Sequence, residues 1–100
     1  MKKKRLVMRT MKLWTKSGDC TEIESDDFNF SERVDFIKAN SNIQKLNENE
    51  WLLAEFSGCE VGFNVKTEEL WTTLPVGEWD KLVVGLNSIE IESLKKLIWE

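Results

Sequence analysis

Histidine and tyrosine are absent from this chain, and proline occurs once. Losing histidine removes the commonest general base at neutral pH and the commonest metal ligand. It also excludes Ser-His-Asp and Cys-His nucleophilic systems. Neither G-x-x-x-x-G-K-[ST] nor G-x-G-x-x-G occurs; Gly18, Gly58, Gly62, Gly77 and Gly85 are scattered and read mostly as turn or bulge positions rather than a phosphate cradle. Cysteine is scarce too. Cys20 and Cys59 match no zinc spacing, and two thiolates fall short of the four ligands that a structural zinc takes. In a reducing compartment they read as small, buried or half-buried thiols, with a disulfide between neighbouring hairpins left open. No cofactor is expected.

Long apolar runs are also missing. Nothing approaches the roughly 20 residues that span a bilayer. The basic start Met1–Arg5 is followed by Leu6, Val7 and Met8 and then at once by Arg9 and Lys12, too short for the apolar segment of roughly 7–15 residues in a signal peptide. These absences point to a cytoplasmic protein that does not enter a membrane.

Against them stand 41% apolar and 32% charged residues in a chain of 100, which suits one folded domain over 1–100, with 1–5 as a flexible basic arm. Charge is unevenly placed. Seven of the 14 basic residues, and no acid, lie in positions 1–16; the rest of the chain holds seven bases against all 18 acids, a net −11 hidden within the total of −4.

Periodicity outlines the elements. Residues 6–16 read as a strand, Ser17-Gly18-Asp19 as a turn and Cys20–Glu24 as a half-exposed second strand. Ser31 fits the N-cap of a helix whose stripe is Phe36, Ala39, Ile43 and Leu46. Asn40-Ser41-Asn42 weakens that helix, so an end near Ala39 and a short strand over Asn42–Leu46 is the alternative. Trp51–Phe56, apolar enough to be nearly central, and Val61, Phe63 and Val65 form a second hairpin. Leu70–Leu74 follows as a strand. Trp79, Leu82, Val83 and Leu86 fit a helix, while Leu82-Val83-Val84-Gly85 fits a strand. Ser88 caps a C-terminal helix carrying Leu94, Leu97 and Ile98. The expected fold is α+β: an antiparallel sheet, hairpin plus meander, with one or two helices on one face.

Carboxylates are the remaining candidates for chemistry. Glu22, Glu24, Asp26 and Asp27 are the densest group, but no glycine follows as a calcium loop needs, and they read as a solvated strand edge and turn. Enzymatic activity is not expected. The five tryptophans are many for this length, and Trp51 is the expected core tryptophan. Trp71 and Trp79 stand beside Glu68, Glu69, Glu78 and Asp80, which read as surface loops. Aromatic anchors rimmed by acids suit a binder of a basic protein. The expectation is therefore a non-enzymatic inhibitor of bacterial or phage type, such as an immunity protein that neutralises a basic toxin or nuclease, with these six residues as its contact surface. Two alternatives stay open: a nucleic-acid-binding or regulatory module using the basic arm, which a body at −11 disfavours, and a homodimeric structural subunit.

Overall fold

A computed structural model describes residues 8–25, 28–74 and 79–99. The elements run β1 (Arg9–Thr15), β2 (Cys20–Ser25), α1 (Phe30–Ala39), β3 (Ser41–Lys45), β4 (Glu50–Phe56), β5 (Cys59–Asn64), β6 (Glu69–Thr73), β7 (Trp79–Gly85) and α2 (Ser88–Trp99). All seven strands join one antiparallel sheet in the order β2-β1-β7-β6-β5-β4-β3. The β3–β7 meander thus meets the β1–β2 hairpin through β7, and the fold is α+β as the patterning implies.

Local chemistry explains the turns and ends. Ser57 and Gly58 both hold positive φ, 54° and 82°, the conformation of a two-residue hairpin turn whose twist matches its strands. α1 is capped by Asn29, whose side chain accepts from the Glu32 N–H at 3.1 Å, and not by Ser31. It stops at Ala39 because Asn40 folds back, its N–H and its side-chain amide both donating to the Phe36 carbonyl. Ser41 therefore starts β3, and the longer helix through Ile43 and Leu46 does not form. α2 is capped by Asn87 rather than Ser88. The Asn87 side chain accepts from the Glu90 N–H at 2.9 Å, and the Glu90 carboxylate accepts from the Asn87 N–H at 3.1 Å, a reciprocal capping box.

The ambiguous segment over 79–86 is a strand over Trp79–Gly85, because a neighbour waits on each side. Val84 pairs with Met11 on β1 and with Leu70 on β6. That row continues through Phe63 to Trp51 and marks the core face of the sheet. Met11, Leu53, Ala54, Val61, Phe63, Leu70 and Val84 are buried there in one cluster with Ile37 of α1 and Leu94 of α2. β4 lies one strand in from the edge rather than at the centre. Its apolar run follows from a register shift between Leu52 and Ala54, which lets the strand bury residues on both faces.

Arg9, counted by sequence among the charges of a basic arm, is instead a structural residue. Its guanidinium meets the Glu90 carboxylate at 2.5 Å, donates to the Gly85 carbonyl at 2.9 Å and stacks 5.1 Å from the Phe28 ring centre. One cation so ties the first strand to the start of the last helix.

Candidate functional site

The two helices contribute to a cluster on one side of the sheet only; the described residues put no element on the other side. Strand alternation decides what that helix-free face displays. Its middle row runs Glu22, Lys12, Val83, Trp71, Gly62, Leu52 and Gln44 across all seven strands. Val83, Trp71 and Leu52 form a second, small buried cluster along it. The row is flat because Gly62 lies beneath the Trp71 indole: a Cβ on Gly62 would stand within the ring. Trp71 is consequently only 7% exposed, Lys81 places its ammonium 5.5 Å from the ring centre, and the indole Nε1 meets no acceptor among the described residues.

Carboxylates surround this row. Alternation brings Glu22 and Glu24 on β2, Glu50 and Glu55 on β4, Glu60 on β5 and Glu69 on β6 to the same face. Several are held in place. Glu50 accepts from the side-chain amides of Asn47 and Asn64, each at 3.3 Å, and Glu55 from that of Asn42 at 3.3 Å. Glu69 stands 3.8 Å from the Lys12 ammonium, a partly exposed pair of small energetic weight.

Near the β1–β7 end the character changes. A groove of about 400 Å³ is lined by Lys12, Trp14, Lys16, Asp80, Lys81 and Val83, among others. Trp14 is 37% exposed and supplies its aromatic wall. The face is thus an acidic field with one local basic and aromatic spot.

The six residues singled out by sequence are only partly brought together. Glu69 and Asp80 line the same groove, and Trp71 lies one strand from it, beside Val83. Trp71 is not an exposed anchor: it is the floor of the face. Glu68 leaves the group, taking a left-handed backbone (φ 63°) in the β5–β6 turn and facing Lys95 of α2 at 3.5 Å. Trp79 is half-buried at the start of β7, paired with Thr15, and Glu78 lies outside the described residues. Glu69, Trp79 and Asp80 therefore belong to strands and not to loops. Trp51, expected in the core, is half-buried and meets Trp99 edge-on at 5.9 Å. The exposed tryptophan of the face is Trp14, and the signal for it is its place at the end of a half-exposed hairpin, directly before Thr15, Lys16 and the Ser17-Gly18 turn.

Among the described residues no group of three or more Cys, Asp or Glu stands close enough to hold a metal ion. Cys20 and Cys59 are free thiols; Cys59 is half-buried as expected, but Cys20 is exposed because it lies on the outer strand β2. No described helix is long and apolar enough to cross a membrane. The chain matches no family model, no curated protein and no solved structure.

Proposed function

We propose that the chain is a non-enzymatic binding protein that neutralises a basic protein partner through the helix-free face of its sheet. The observation that carries this reading is the convergence of Glu22, Glu24, Glu50, Glu55, Glu60 and Glu69 on one face around a flat apolar row. The row itself is buried and fixes the shape of the face, while the charges around it steer the encounter and reject partners of the wrong sign. Trp14, 37% exposed in the groove where Glu69 and Asp80 stand among Lys12, Lys16 and Lys81, is the aromatic anchor, tryptophan being enriched in binding hot spots. A basic nuclease or toxin is the natural target class for such a surface. Arg9 is already committed to Glu90, which takes one of the seven cations of the first sixteen residues away from a nucleic-acid grip.

The test is capture of partners from source-cell extract by the wild-type protein and by E50Q/E55Q/E60Q. Wild type is expected to retain a basic protein in a salt-sensitive manner, and the triple variant to lose it by about tenfold or more. Equal capture by the two proteins, or retention only of acidic partners or nucleic acid, would overturn the proposal.

A further inference from the structure

The two ends of the sheet are not alike. At one end β3 is irregular: its pairing with β4 shifts register between Ser41 and Gln44, and it carries Lys45. Bulges and lysines are the usual means of blunting an edge against added strands. At the other end β2 has neither. It pairs with β1 in unbroken register from Arg9↔Ser25 to Trp14↔Cys20. It contains no proline, glycine or lysine, and every residue from Cys20 to Glu24 is exposed. Among the described residues no element lies beyond it. Among the described residues, the outward backbone groups of Cys20–Glu24 therefore stand open as a template for another strand.

The side chains select what that strand can be. Glu22 and Glu24 share the helix-free face, while Ile23, 37% exposed, projects to the opposite side opposite Met11. A second copy pairing antiparallel about Ile23 would set Glu22 against Glu24 twice on the same face, and directly opposed like charges destabilise a ladder. A strand with lysine or arginine at alternate positions meets the same two carboxylates favourably, and an apolar residue between them covers Ile23. In that register the edge rejects its own kind and admits a basic strand.

We infer that β2 receives an extended basic segment of the partner, patterned basic–apolar–basic, by edge-strand addition. This rests on the reading of the chain as a binder of a basic protein and specifies how that protein is held: its strand extends the sheet, and its neighbouring surface then lies over the acidic face. Main-chain hydrogen bonds supply affinity in this mode, and alternate side chains supply specificity.

The probe is a capped peptide Thr-Lys-Val-Lys-Thr, with Thr-Glu-Val-Glu-Thr as its counterpart, titrated into isotope-labelled protein and followed by amide chemical shifts. The lysine peptide is expected to shift the amides of Cys20–Glu24 first and to bind about tenfold more tightly than the glutamate peptide. E22K/E24K should invert that preference, and E22Q/E24Q should abolish it; the second variant keeps the test decisive if charge reversal disturbs the hairpin. E50Q/E55Q/E60Q should leave peptide binding at β2 unchanged. No binding of either peptide, shifts confined to other strands, an unchanged preference in both β2 variants, or concentration-dependent self-association through β2 would each overturn the inference. If partner capture depends on Glu50, Glu55 and Glu60 but not on Glu22 and Glu24, edge addition falls and the acidic-face reading stands. If neither set matters, both fall.

Discussion

Replacing Arg9 with alanine removes a cation that serves three elements at once. Arg9 and Glu90 meet at 2.5 Å with side chains 17% and 11% exposed, so neither charge is well hydrated when its partner is lost. Breaking such a pair from one side costs about 3–5 kcal/mol, because the survivor is left buried and uncompensated. Two features reduce that here: Glu90 keeps the hydrogen bond from the Asn87 N–H at 3.1 Å and retains some contact with water. Two features add to it: the bond to the Gly85 carbonyl is lost, and so is the Phe28 contact, worth about 0.5–1 kcal/mol. The net expectation is about 3 kcal/mol. For a domain of this size each kcal/mol moves the thermal midpoint by roughly 4–8 °C, a fall on the order of 10–25 °C. E90Q preserves the capping box, since glutamine serves in that position, but leaves Arg9 without its counter-charge. Urea unfolding of wild type, R9A, E90Q and R9A/E90Q should therefore show a coupling of about 1–3 kcal/mol, the double variant losing less than the two singles together. A loss under about 1 kcal/mol for R9A, or additivity of the two changes within about 0.5 kcal/mol, would refute the assignment of Arg9 as a buried staple.

Other positions give sharp tests. G62A forces the Trp71 indole off its floor and should cost about 3 kcal/mol, with a red-shifted tryptophan emission in the folded state; unchanged emission and stability would show that the ring does not lie on Gly62. N29A should destabilise by about 1 kcal/mol while S31A stays within about 0.5 kcal/mol, measured by the same urea curves, and the reverse order would return the α1 cap to Ser31. W14A should leave stability within about 1 kcal/mol, because the ring is 37% exposed, yet abolish capture of the basic partner; retained capture would remove Trp14 as the anchor.

The hairpins and the helix–sheet composition are legible in the sequence because they are encoded locally. Val61, Phe63 and Val65 alternate, Ser57-Gly58 supplies the turn, and Asn40-Ser41-Asn42 interrupts the helix. What escapes sequence reading depends on long-range pairing. The segment over 79–86 has a pattern that fits two structures, and the strand prevails only because β1 and β6 flank it. The burial of Trp71 follows from its register against Gly62, which neither residue's neighbours announce. Arg9 finds Glu90 from 81 positions away. The acidic site was half visible. Glu22 and Glu24, two apart on a strand, must share a face, but only the strand pairing shows that Glu50, Glu55, Glu60 and Glu69 join it and that, among the described residues, both helices lie on the other side. Reading adjacent acids in the sequence as one patch failed at Glu68 and Glu69, since neighbours in a strand or turn diverge.

The most direct test of the helix-free face as the binding surface is site-specific photo-crosslinking in source-cell extract. A benzophenone side chain is placed either at position 10, where exposed Thr10 shares that face with Lys12 and Glu24, or at position 89, where Ile89 is 78% exposed in α2. A cross-link to a basic protein is expected from position 10, and none from position 89. Cross-linking from position 89 alone, or to the same protein equally from both positions, would contradict the helix-free face as the binding surface.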